Sequence, residues 1–195
     1  MRNSFIYSML LLVVFFLGIA CNNNEPKKNE SSTPQSAAFD DYQKLRLKEF
    51  EENIVNPGTI ASLGENDVFA LVMDWNLGEG RFATLSVLRD GRTKVFTSTG
   101  AKAIDIKHQN VFNEVTRFLA SATMLNDQSN LYKNTRLPEE GHFTFYFKTN
   151  TGVSIGEGHI DDVREQRSPW AALFRQANDV ITEVRATYQD FYEGR

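Results

Sequence analysis

The sequence predicts an α+β domain, with a five-stranded, mainly antiparallel sheet packed against about three helices. Three observations carry this prediction. Short β-type segments come in neighbouring groups joined by turn residues, Asp90-Gly91 in one group and Asn150-Thr151-Gly152 in the other, and such turns favour antiparallel pairing. Longer segments with apolar residues at helical spacing separate those groups. One of them closes the chain, with Leu173, Phe174, Ala177, Val180, Ile181 and Val184 along it.

The chain begins in a different style. An apolar run from Phe5 to Ala20 follows Arg2 and ends at Cys21, the single cysteine, and a polar stretch starts at Asn22. A membrane-spanning helix needs about 20 apolar residues, and this order of basic, apolar and small residues fits a cleaved export signal better. Leu17-Gly18-Ile19-Ala20-Cys21 resembles the bacterial lipoprotein box, departing from it at Gly18, where the common box has Leu. The resemblance implies a signal peptide over 1–20, acylation of Cys21, and a lipid bilayer as partner. The rest of the chain is then exported and anchored in the cell envelope, at the outer membrane in a two-membrane cell. Each buried CH₂ contributes about 0.8 kcal/mol, so several acyl tails hold a protein persistently. The alternative is a retained N-terminal anchor with Cys21 unmodified. Residues 21–37, rich in Asn, Ser, Lys, Glu and Pro, read as the lipidated cysteine and a flexible linker, and 38–195 as one globular domain.

Within that domain, Phe39, Tyr42, Leu45, Phe50 and Ile54 predict an amphipathic helix ended by Asn56-Pro57-Gly58. Val68 to Met73 is a continuous apolar run of strand length, expected at the centre of the sheet with both faces covered. A turn at Asn76-Leu77-Gly78-Glu79-Gly80, a strand from Phe82 to Leu88, a turn at Arg89-Asp90-Gly91-Arg92 and a strand from Thr93 to Ser98 complete a three-strand meander. Gln109 to Leu125 carries Val111, Val115, Phe118, Ala122 and Leu125 on one helical stripe. Phe143, Phe145 and Phe147 alternate with Thr144, Tyr146 and Lys148 in a strand with one strongly apolar face, and Val153 to Gly158 returns beside it. Ser168 as cap and Pro169 in the first turn start the last helix. This order resembles profilin-like and roadblock-like domains, five-stranded sheets flanked by helices.

The formal charge is −4, with both signs mixed throughout, so the chain presents no broad attractive field for nucleic acid. With one cysteine there is no intramolecular disulfide. Gly78-Glu79-Gly80 lacks the third glycine of a dinucleotide fingerprint, and Thr97-Ser98-Thr99-Gly100 lacks the lysine of a phosphate loop. His108, expected at a helix start, His142, expected in a loop, and His159 show no helical metal-ligand spacing. Glu139-Glu140 and Asp161-Asp162 lack the alternating ligands of a calcium loop. No metal or cofactor is expected.

Asp74 is the sharpest oddity, a carboxylate at the end of an apolar strand and followed by Trp75. Glu79, Ser98, Thr99, Gly100, Glu157 and His159 lie in polar, glycine-rich segments and complete a candidate functional surface. Converging on one sheet end, these groups could bind a cation or an amino sugar, or handle a proton. The preferred reading is structural, with Asp74 accepting hydrogen bonds from its own turn and the glycines serving turns or bulges. Trp75 and Trp170 suit the packing of helix on sheet, with a glycan site the alternative.

Val68 to Trp75, Phe82-Ala83-Thr84-Leu85, Ser98-Thr99-Gly100 and Asp179 to Arg185 together resemble a widespread family of uncharacterised bacterial proteins, over roughly Val68 to Tyr188. The resemblance transfers no catalytic role. It singles out Asp74, Trp75, Ser98, Thr99, Gly100 and Glu183 as a set. The expected function is a membrane-tethered binding or interaction module for an envelope protein or glycan. Two alternatives are a small hydrolase or sugar-modifying enzyme using Asp74 with Glu157 or His159, and a purely structural envelope protein.

Overall fold

The computed structural model describes residues 34–51, 63–100, 103–131 and 135–192. The leader, Cys21 and most of the linker lie outside them, as do Ile54 and the expected helix stop at 56–58. Within the described residues the chain forms a mixed α+β fold on one open antiparallel sheet.

Helix α1 (Pro34–Glu51) comes first. It begins four residues before the expected domain start at 38, with proline at a helix start, where its missing N–H costs nothing. The meander follows as β1 (Ala70–Gly78), β2 (Arg81–Leu88) and β3 (Thr93–Thr97). A three-residue strand, β4 (Ile104–Ile106), leads into α2 (Gln109–Leu125), whose predicted span is reproduced. After a 3₁₀ turn, Asn126–Gln128, come β5 (Asn130–Leu131), β6 (His142–Thr149) and β7 (Gly152–His159). A short α3 (Ile160–Arg164) and the long α4 (Ala171–Tyr192) finish the chain.

The sheet has seven strands in the order β4-β3-β2-β1-β6-β7-β5, not five. The two additions are edge strands of three and two residues, too short to show periodicity. As its apolar run implied, β1 is central, with Leu71 opposite Val87 on one side and Phe147 on the other.

Alternation divides the sheet into two unlike faces. Leu71, Met73 and Trp75 of β1 share a face with Phe143, Phe145 and Phe147 of β6. Helices α2 and α4 cover it: Phe118 meets Phe145, and Phe174 meets both Trp75 and Phe143. Val111, Val115, Phe118, Leu173, Phe174 and Val184 are all buried there. The opposite face carries Asp74, Thr84, Ser86, Thr144, Tyr146 and Lys148, and α1 lies over it.

The apolar face explains the spacing Gly156-Glu157-Gly158. A Cβ on Gly156 would lie 2.6 Å from Trp170 Cζ2, and one on Gly158 would lie 2.5 Å from Phe143 Cζ. The alternate glycines of β7 therefore leave room for two rings to lie on the strand. Trp170 packs against Phe145 and Phe147 as well, so it belongs to the core between sheet and helix. Substituting Gly158→Ala forces the Phe143 ring out of place. The expected loss is about 1–3 kcal/mol, read as a lower urea midpoint with an unchanged slope, whereas Glu157→Ala on the same strand leaves the midpoint within about 0.5 kcal/mol.

Candidate functional site

A carboxylate on a strand covered on both faces needs a cation or several donors, because an unpaired buried charge is prohibitively costly. Asp74, 0% exposed in the middle of β1, takes its cation from α1. Tyr42, Arg46 and Glu49 stand at i, i+4 and i+7 of that helix, so they project from one side and meet the sheet.

Arg46 is 1% exposed. Its Nε and Nη2 each lie 2.6 Å from Asp74 Oδ2. Nη1 donates to the Thr135 carbonyl at 2.6 Å, and Nη2 to the Tyr146 hydroxyl at 3.1 Å and the Arg136 carbonyl at 3.4 Å. The guanidinium carbon also lies 5.2 Å from the Phe50 ring centroid and 5.9 Å from that of Tyr146. Thr84 Oγ1 donates to Asp74 Oδ1 at 2.7 Å and lies 2.9 Å from the Tyr42 hydroxyl. Both oxygens of Asp74 are thereby occupied.

One strand row away, Glu49 completes the layer. Ser86 Oγ donates to its Oε2 at 2.7 Å and Lys94 Nζ to its Oε1 at 2.8 Å. Lys148, buried in β6, donates to the Glu49 carbonyl at 2.7 Å, supplying a charged partner to the last turn of α1. At the other end of the helix the contact is aromatic, with Tyr42 against Phe82 and Phe96.

The electrostatics follow from burial. Desolvation pushes the Asp74 carboxyl above the usual carboxylate range, against the pull of Arg46 and the Thr84 hydrogen bond. The carboxylate in turn holds the Arg46 guanidinium protonated despite its burial. Burial first, and the Asp74 charge second, raise the Tyr42 phenol above its ordinary value.

The eight sequence-predicted surface residues are only partly brought together. Asp74 pairs across strands with Thr144, and Thr144 with Glu157, so the two carboxylates share one row of one face. They stand two strands apart, about 10 Å, and Glu157 is exposed while Asp74 is sealed. Trp75 points to the opposite face, edge-on to Phe174 at 5.1 Å between centroids. Glu79 sits at the tip of the β1–β2 hairpin with φ 56°, followed by Gly80 at φ 71°, and pairs with Arg81 at 3.1 Å. Two consecutive positive φ values are what a two-residue hairpin of this twist requires.

Ser98 Oγ accepts from the Phe82 amide at 2.8 Å, which ties β3 to the start of β2. Thr99 shares a hydrogen bond with Thr97, and Gly100 turns the chain at φ 79° beside Ala38. His159 caps α3, its Nδ1 accepting from the Asp161 amide at 3.1 Å, and its ring meets that of His142 at 4.7 Å. His142 opens β6, not the expected loop, and His108 caps α2 as expected. Glu183 stands on α4, across the sheet from Asp74, and accepts from Thr187. Neither turn nor loop holds Asp74: its expected local hydrogen bonds are replaced by the pairing with α1, because β1 continues past it to Gly78.

None of the eight candidates lines either of two shallow depressions in the described surface. One, of about 360 Å³, lies at the start of α2 beside His108 and Phe112. The other, of about 190 Å³, is lined by Asn126, Ser129, Ser154 and neighbours that bond one another, as in Ser154 Oγ to Asn126 Oδ1 at 2.6 Å. Among the described residues no group of three His, Cys, Asp or Glu could hold a metal ion, and no helix is long and apolar enough to cross a membrane. No family model, curated protein or solved structure matches the chain.

Sequence reasoning missed Arg46 and Glu49. Half of the signal was present, since a buried strand carboxylate demands a cation; Tyr42, Arg46 and Glu49 share a helical stripe, but no linear pattern sets that stripe over β1.

Two outcomes follow from this geometry. Asp74→Ala and Arg46→Ala should each cost about 3–5 kcal/mol in urea unfolding, since each strands the other charge, and the double substitution should cost clearly less than their sum. The raised Tyr42 phenol makes the native state favour the neutral ring, so this stabilisation is complete below the unfolded tyrosine value of about 10 and is lost as pH rises beyond it. Melting temperature should therefore fall above about pH 10, and less steeply in Tyr42→Phe.

Proposed function

We propose that the chain is an exported lipoprotein, anchored in a bacterial envelope through acylated Cys21, whose globular domain is a binding or interaction module. The leader supports the address: an apolar run closed by Ala20-Cys21 and followed at once by polar residues. The state of Asp74 supports the binding reading over a hydrolytic one. A general acid, base or nucleophile must reach its substrate, whereas both oxygens of Asp74 are engaged by Arg46 and Thr84 beneath α1. Exposed Glu157 and the helix cap His159 then remain as separate groups, suited to contact with an envelope protein or glycan.

Mass spectrometry of the chain purified from its own host tests the address. The expected product begins at Cys21 and carries acyl chains; an intact leader and a free thiol would overturn the anchor. Crosslinked pull-down from the same envelope tests the module, where a specific partner is expected and a bait recovered alone counts against binding.

A further inference from the structure

The face of the sheet under α1 is built as a receptor for a guanidinium. Its acceptors come from three separate segments: the Asp74 carboxylate on β1, the Tyr146 hydroxyl on β6, and the carbonyls of Thr135 and Arg136 in the loop before β6. They surround a planar fork, and the Tyr146 ring lies beside it. A lysine ammonium, with three donors at one point, cannot span that set, whereas the five N–H groups of arginine can.

The occupant is the chain's own Arg46, delivered by a helix patterned unlike a permanent core element. A helix committed to a core buries its apolar stripe. Here α1 buries Arg46 and Glu49 beside Tyr42, while Leu45 and Leu47 stand 42% and 44% exposed. Its buried ion pair contributes little net stability relative to apolar packing, because desolvation offsets most of the attraction. The sheet does not need α1 for its main core, which lies on the other face with α2 and α4.

We propose that α1 is a displaceable internal ligand and that the uncovered site takes an arginine side chain from a partner segment. This deepens the binding-module reading and rests on it. Release of α1 uncovers Asp74, Thr84, Ser86 and Thr144 among the side chains of Val72, Phe96 and Tyr146, with Asp74 the anchor for the incoming arginine. Ser86, which donates to the Glu49 carboxylate in the closed form, then binds an acidic side chain of the same segment.

The test uses the full chain in two forms. In Arg46→Ala, N-acetyl-arginine amide should raise the melting temperature saturably, and N-acetyl-lysine amide at equal ionic strength should not. In the unaltered chain, amides of α1 should exchange with deuterium at least about tenfold faster than those of β1, and the arginine compound should accelerate α1 alone. Equal responses to the two compounds, or none in a folded Arg46→Ala chain, overturn the proposal. So does an α1 as protected as β1 and indifferent to arginine, which decides the matter where Arg46→Ala does not fold. A partner still captured from the envelope after such a failure would leave the binding module standing and remove only its arginine specificity.

Discussion

One requirement organises this fold: the carboxylate of Asp74, placed in the central strand with protein on both sides, must be matched by a positive charge. Arg46 meets it at 2.6 Å, and the match reaches well beyond the pair. Because Arg46 also bonds the carbonyls of Thr135 and Arg136, the loop before β6 is drawn against the same point. Asn76 reinforces that loop by donating to the Pro138 carbonyl. Helix, strand and loop are thus positioned by a single cluster of polar groups, each member satisfied by another, the condition under which a buried network stabilises a unique arrangement.

The other face of the sheet obeys a simpler rule. Three phenylalanines on β6 and the rings of Trp170 and Phe174 fill the space between sheet and helices. Ring volume there is accommodated by removing side chains from β7, where Gly156 and Gly158 face the aromatics. Bulk on one strand and its absence on the next are two halves of one packing solution. Division of labour follows: the aromatic face supplies most of the apolar burial, and the α1 face supplies orientation.

How much of this is legible in the residues depends on whether a feature is local. The meander, the hairpin of β6 and β7, and α2 follow from alternation, helical spacing and turn chemistry, each contained within a few consecutive residues. Strands β4 and β5 carry no such pattern, being held by their neighbours Val95 and Ile155 in longer strands. The first helix shows the limit most clearly. Its apolar spacing predicted a buried Leu45, but the surface it meets is polar, so Arg46 and Glu49 turn inward instead. Asp74 was recognisable as anomalous; its partner, 28 positions earlier, was not, because nothing in a linear pattern says which helix crosses which strand. Ser98, Thr99 and Gly100, similar in composition to a site, resolve into a strand end and a turn.

The polar contact between α1 and the sheet also decides how that helix is held. The helix before the sheet holds its place through Arg46, Glu49 and the Tyr42 ring cluster. Apolar packing would fix such a helix irrespective of geometry, since hydrophobic burial is non-directional. A guanidinium fork matched to one carboxylate and two carbonyls holds it in one register only, and loses most of its value with a small displacement. On the proposal that α1 is displaceable, directionality of this kind makes its docked and released positions distinct states rather than a continuum, and the chemistry that seats the helix specifies what would replace it.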